Sequence, residues 1–244
     1  MPRLVLLPGL ACDARLWEAQ WPALPAALQP VVSDAQTRHA TLEDMAAAVL
    51  REHDGPLVLC GASMGGMLAM ECTRQAPDRI AGLALLGTTA APESPETHQL
   101  RSQAIEVFER GPGPLRELIE LNVMFAFHPA QAADRELTRR YVDRVVEAGA
   151  EQLIRQNRAV MQRPDARQHL GRYKGPALLI CGDGDKLTPP DAMREIAALL
   201  PQAELHWLRD CGHMLTMEKP QEVNTLLGDW LRRHFAVPPA SPSP

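Results

Sequence analysis

The stretch Pro56-Leu57-Val58-Leu59-Cys60-Gly61-Ala62-Ser63-Met64-Gly65-Gly66 decides how this chain is read. Its first half is a short continuous apolar run, the pattern of a strand buried on both faces. Its second half is Gly-x-Ser-x-Gly, which opens a helical pattern over Met64–Gln75 that stops before Ala76-Pro77. A strand that turns this sharply into a helix holds the serine in a sparsely populated backbone conformation. Side chains two positions to either side must then nearly vanish. Gly61 and Gly65 occupy those two positions.

Working outward, comparable apolar runs recur at Leu4–Leu7, Val31–Val32, Leu83–Leu86, Ala177–Cys181 and Leu205–Leu208, several of them bounded by Gly or Pro. Longer amphipathic stretches lie between them. Thr41-Leu42-Glu43-Asp44 resembles a capping box ahead of Met45–Leu50, with Asp at the reaching position. Helical patterns also cover Pro190–Leu200 and Glu222–His234. Buried strands alternating with helices predict an α/β fold with a mostly parallel central sheet flanked by helices.

One region breaks the alternation. Between Pro92 and Tyr173 there is no strand pattern. Four helical patterns run there instead, over His98–Arg110, Pro114–Ala126, Ala133–Gly149 and Ala150–Gln162, punctuated by Gly111-Pro112-Gly113-Pro114 and His128-Pro129. The expected organisation is a core from residues 1–91 and 174–236, an inserted helical cap over 92–173 and a disordered Pro/Ser-rich tail over 237–244. No internal repeat is present.

The chain has 244 residues, 45% hydrophobic and 23% charged, enough for one sizeable core. A net charge of −5 without a dense basic run argues against a nucleic-acid surface or attraction to anionic membranes. The odd set of five cysteines has no Cys-x-x-Cys pair, which points to a reducing cytoplasm and not to a disulfide framework. No run is long enough to span a bilayer. Met1–Leu7 is faintly signal-like and Cys12 invites a lipoprotein reading, but Pro8-Gly9 breaks the stretch and a first strand fits better. Neither metal-ligand spacing nor Gly-x-Gly-x-x-Gly after a strand is found, so no metal and no cofactor are expected. A monomer or homodimer is expected.

A serine hydroxyl is a poor nucleophile at neutral pH. It needs a histidine base, a carboxylate to orient that base, and N–H donors aimed at the developing oxyanion. An acid just beyond a buried strand sits at the sheet edge where sites collect, and both Asp183 and Asp185 qualify. The histidine candidate is His213, in Arg209-Asp210-Cys211-Gly212-His213-Met214, after the run Leu205–Leu208.

Taken together, these motifs resemble the α/β-hydrolase fold family over nearly the whole chain, in the order Ser, Asp, His. Gly182-Asp183-Gly184-Asp185-Lys186-Leu187-Thr188-Pro189 is similar to the family's Gly-x-x-Asp-x-x-x-Pro, which selects Asp185. Gly212-His213, with Glu218 and Pro220, resembles Gly-His-x-x-x-x-Glu-x-Pro and selects His213. Leu7-Pro8-Gly9-Leu10 matches the loop after the first core strand, where the family often has His-Gly. The likeness implies an oxyanion hole from the N–H groups of Leu10 and Met64. The chain departs from the family at Pro8, and at Asp34-Ala35-Gln36-Thr37-Arg38-His39, where many members carry Asp-x-x-Gly-x-Gly. Substrate preference therefore does not carry over from members that keep those glycines.

The resemblance implies a serine hydrolase without cofactor, acting on a small-molecule ester or lactone. A C–C bond hydrolase or lyase on the same triad, or a ligand-binding receptor with little turnover, are the alternatives, since fold and triad do not fix the substrate. Met124, Phe125, Phe127 and Met161 are candidates to line an apolar acyl pocket, although amphipathic helices carry such residues for packing alone. His128 is a further pocket candidate. Arg155, Arg158 and Arg163 are candidates to pair with a substrate carboxylate.

Overall fold

The computed structural model describes residues 1–235. The expected tail over 237–244 lies outside the described residues. Six strands, β1 (Arg3–Leu7), β2 (Val31–Val32), β3 (Leu57–Ala62), β4 (Ile80–Leu86), β5 (Ala177–Gly182) and β6 (Ala203–Leu208), form one sheet in the order β2-β1-β3-β4-β5-β6. Every neighbouring pair is parallel. All six overlap the apolar runs of the sequence.

Alternation along the strands sorts their side chains onto two faces. Leu4, Leu6, Val58, Cys60, Ala84, Leu86, Leu178 and Ile180 share one buried cluster with Trp17 and Trp230. Their neighbours Val5, Leu7, Leu57, Leu59, Leu83, Leu85, Leu179 and Cys181 belong to a second cluster on the other face. Both faces are covered, which is why the strands read as unbroken apolar runs.

The first half carries α1 (Ala35–Arg38), α2 (Leu42–Glu52) and α3 (Met64–Gln75). Thr41 caps α2 by accepting from the Asp44 N–H, while its own hydroxyl donates to the Asp44 carboxylate. Between β4 and β5 lie α4 (Pro95–Phe108), α5 (Pro112–Ala126), α6 (Pro129–Ala132), α7 (Arg135–Met161) and α8 (Arg167–Leu170). Two helices were expected on either side of Gly149. The trace runs through as α7, but Gly149 sits at φ 81° and ψ 160°, breaking the helical geometry there. After β5 come α9 (Pro190–Leu199), α10 (Leu215–Glu218) and α11 (Pro220–Phe235).

Parallel strands end at one edge of the sheet, and β1 lies between β2 and β3, so the strand order reverses there. Crevices at that edge are where such sheets place their sites. The turn after β3 is packed against β1 without room for side chains. A Cβ on Gly65 would stand 1.9 Å from the Leu7 carbonyl oxygen, and one on Gly61 would stand 2.2 Å from the Gly65 carbonyl oxygen. Backbone cannot yield as a flexible side chain would. Gly65→Ala is therefore expected to destabilise the fold by about 3 kcal/mol, the upper end of overpacking costs. Chemical denaturation reads this directly, and wild-type stability in the variant would contradict the packing described.

Candidate active site

Ser63 stands between β3 and α3 at φ 53° and ψ −118°, a conformation that costs an L-residue energy. Its N–H donates to the Leu86 carbonyl at 2.9 Å, and the Thr88 hydroxyl donates to the Ser63 carbonyl at 2.8 Å. The side chain is thereby turned out at the N-terminal end of α3, where the helix dipole favours negative charge.

The three side chains singled out by the motifs meet here. His213 Nε2 is 2.9 Å from Ser63 Oγ, and His213 Nδ1 is 2.9 Å from Asp185 Oδ2. With Nδ1–H donating to the carboxylate, Nε2 carries the lone pair that accepts the Ser63 hydroxyl proton. Asp185 is buried and fully bonded. Its Oδ1 accepts from the N–H groups of Leu187 and Thr188, both at 2.9 Å, and its Oδ2 also accepts the Thr188 hydroxyl at 2.8 Å. Asp183, the other acid beyond β5, instead receives the Cys211 N–H at 3.4 Å and braces the neighbouring loop.

Burial disfavours charge on both members of this pair, yet their mutual attraction wins. Burial alone would lower the His213 pKa, but the Asp185 charge and hydrogen bond raise it above its ordinary value, with Arg101 opposing in part. Burial alone would raise Asp185, but His213 and the Thr188 bonds hold it below the usual carboxylate range.

The loop carrying His213 is held by the helical insertion. The N–H groups of His213 and Met214 both donate to the Ala126 carbonyl at the end of α5, at 2.9 and 3.1 Å. Glu218 Oε2 accepts from the Gly212 N–H at 3.0 Å and from the His128 N–H at 2.9 Å, tying the same two segments together. That bridge is what the glutamate of the Gly-His motif does in this chain. His128 itself caps α6, its ring Nδ1 accepting from the Ala130 N–H at 3.2 Å.

The Pro8-Gly9-Leu10 loop lies against the serine. A Cβ on Gly9 would stand 3.4 Å from Ser63 Cβ. The N–H groups of Leu10 and Met64 have no acceptor among the described residues, and Met64 is the first residue of α3, whose N–H has no intrahelical partner.

The expected pocket residues differ in exposure. Met124 and Phe125 are 57% and 45% exposed, while Phe127 is fully buried and packs edge-on against Tyr141 at 5.3 Å. None of these, nor Met161, lines either of two small cavities. The cavity beside the site is lined by Ala11, Cys12, Leu16, Tyr141, Met214 and Met217, with Asp13 and Arg144. The three arginines are held to different degrees, with Arg155 Nε buried and without a partner. Arg155 donates to the Thr37 carbonyl, Arg158 lies 3.5 Å from Glu109, and Arg163 is buried against Glu93 and the Ala91 carbonyl.

Gln156 was not anticipated. It is fully buried, and it bonds to the loop that holds Leu10. Its signal in the sequence is a polar residue in the stripe Leu153, Gln156, Val160, which a helix buries on one side. Among the described residues, no group of His, Cys, Asp and Glu could hold a metal, and no helix is long and apolar enough to cross a membrane.

The chain matches the model of the alpha/beta hydrolase fold over residues 2–220. It belongs to that family. A pimeloyl-[acyl-carrier protein] methyl ester esterase of Aromatoleum aromaticum is 30% identical across 95% of this chain and 98% of its own length. A 2-hydroxy-6-oxononadienedioate/2-hydroxy-6-oxononatrienedioate hydrolase of Klebsiella pneumoniae is 28% identical across 82% of this chain and 73% of its own. Among solved structures, a thermophilic esterase from Thermogutta terrifontis superimposes with a TM-score of 0.83 at 29% identity, covering 96% of this chain and 91% of the other. Esterases and a hydrolase named for a dicarboxylate thus both stand among this chain's relatives.

The His213 shift has a direct consequence for pH dependence. A histidine that serves as a base must be neutral, so with His213 in that role activity would be lost as pH falls through the raised pKa. The acid limb of kcat/KM is expected above the ordinary histidine value of 6.5. Asp185→Asn, which removes the charge that raises it, should move that limb to lower pH and cut kcat by about 10⁴-fold. A wild-type limb at or below the ordinary value would contradict the coupling.

Proposed function

We propose that the protein is a serine hydrolase that cleaves a small or medium carboxylic ester or lactone through an acyl-enzyme on Ser63. The observation that carries this reading is the continuous chain Ser63 Oγ, His213 Nε2, His213 Nδ1, Asp185 Oδ2, with 2.9 Å at each of its two hydrogen bonds. Ser63 Oγ attacks the substrate carbonyl while its proton passes to His213 Nε2. The imidazolium that forms is stabilised by Asp185, which keeps the carboxylate form throughout. The tetrahedral oxyanion receives hydrogen bonds from the N–H groups of Leu10 and Met64, each such donor contributing about 10²–10³-fold in related chemistry. The carbon–oxygen bond to the alcohol breaks, and the alcohol leaves with the proton from His213. Water, deprotonated by the same nitrogen, then attacks the acyl-enzyme, and Ser63 departs as a hydroxyl.

In this reading residues 92–173 act as a cap and the remainder of the described chain as the core. The bonds from the Ala126 carbonyl to the histidine loop and from Gln156 to the Leu10 loop support it. The Aromatoleum relative, named a methyl ester esterase, supports an ester with a small alcohol. The Klebsiella relative is named for a dicarboxylate, and such a substrate asks for free cations. Arg163 is buried against Glu93 and is not available to such a substrate, whereas Arg158 is largely exposed and Arg155 keeps a buried Nε without a partner, so the preference for an ester rests on the Aromatoleum relative.

Kinetics on p-nitrophenyl esters of graded chain length, beside a lactone and a vinylogous diketone, test this reading. An ester or lactone is expected to give the highest kcat/KM, and Ser63→Ala should lose at least about 10⁴-fold with its fold retained. Preference for the diketone would overturn the ester assignment. Undiminished turnover in Ser63→Ala would overturn the mechanism. A compound that raises Tm and is never consumed would favour a receptor.

A further inference from the structure

The loop that carries Leu10 is held from outside the sheet. Gln156, on α7 of the insertion, accepts the Ala11 N–H at its Oε1 at 2.7 Å. Its Nε2 donates to the Gln36 carbonyl at 3.0 Å, and Gln36 Nε2 donates in turn to the Cys12 carbonyl at 3.4 Å. Three segments far apart in the chain are closed into one ring by two buried amides.

Two features set this apart from ordinary packing. First, Ala11 is a non-glycine residue at φ 57°, a left-handed conformation that persists only where neighbours enforce it. The Cys12 N–H donates to the Gly9 carbonyl at 3.1 Å and closes the turn at one end. The Gln156 bond fixes the peptide unit between Leu10 and Ala11. Together they leave the Leu10 N–H little freedom to turn. Second, Leu153 and Val160 occupy the same buried stripe, so an apolar residue would satisfy packing at position 156. A fully buried amide is tolerated only when bonded, and both ends of this one are bonded to segments outside its own helix.

We propose that Gln156 is a positioning residue, holding the Gly9–Cys12 turn so that the Leu10 N–H faces the oxyanion formed at Ser63. The proposal rests on the serine-hydrolase reading. It makes the oxyanion hole a joint product of sheet and insertion: the donor comes from the loop after β1, its orientation from α7. Misplacement of such a donor by about 1 Å is enough to cost on the order of 10²-fold.

The test compares Gln156→Leu, Gln156→Glu and Arg155→Ala with wild type. Active sites are counted by titration with a p-nitrophenyl phosphonate, so that misfolded protein does not enter kcat. Arg155 is the control, because it ties the same helix to the Thr37 carbonyl without a bond to the Gly9–Cys12 turn. Gln156→Leu is expected to lose about 30-fold in kcat per titrated site, with KM within about threefold and the Ki of a trifluoromethyl ketone weakened in step with kcat. Gln156→Glu keeps an acceptor for the Ala11 N–H but sets a carboxylate oxygen against the Gln36 carbonyl, and is expected to recover only part of that loss. Arg155→Ala is expected to turn over as wild type does. If Gln156→Leu does not accumulate, Gln156→Met takes its place. Wild-type kcat per site in the Leu or Met variant, or an equal loss in Arg155→Ala, would each overturn the proposal. A wild type that the phosphonate does not label at Ser63 would overturn the hydrolase reading itself, and this proposal with it.

Discussion

The backbone of Ser63 is the constraint on which the site depends. It sits at φ 53° and ψ −118°, where an L-residue stays only if its surroundings leave no alternative. The surroundings are β1, β4 and the first turn of α3. Leu86 and Thr88 bond the two sides of the serine, and Gly61 and Gly65 let the turn press against β1. Pressed there, the turn meets the Gly9 loop, and the serine stands at the α3 N-terminus beside that loop.

The remaining parts arrive by topology. Parallel strands deliver Asp185 after β5 and His213 after β6 to the edge where β3 delivers Ser63. Loops of that kind need fixing from outside the sheet, and the insertion between β4 and β5 supplies it. The Ala126 carbonyl holds the histidine loop and Gln156 holds the Leu10 loop. Glu218 bridges Gly212 and His128, so the insertion and the histidine loop share a buried carboxylate whose pKa burial pushes up.

Much of this is legible in the amino-acid sequence alone. Buried parallel strands are short apolar runs, and all six stand out, including the two-residue β2. The triad is legible because each member follows a strand and has a glycine within two residues. Asp183 and Asp185 differ only in what their side chains reach, and the family pattern chooses between them where strand position alone does not. The pocket is not legible. Phe125 and Phe127 are two residues apart at the end of α5, yet one is exposed and the other fully buried, because the chain leaves the helix between them. Gln156 is hidden for a different reason. Its meaning lies in a bond to Ala11, 145 residues away, and a helical period shows only that the position faces inward.

The proposed mechanism requires Ser63 to form a covalent acyl-enzyme, with His213 as base and Asp185 orienting it. Intact-protein and peptide mass spectrometry on enzyme quenched during turnover of a slowly deacylated ester tests it most directly. An acyl adduct is expected on the peptide holding Ser63, formed and lost at rates consistent with kcat, and absent in His213→Ala. Product formation with Ser63 never acylated, or with the acyl group on Cys12 instead, would contradict it.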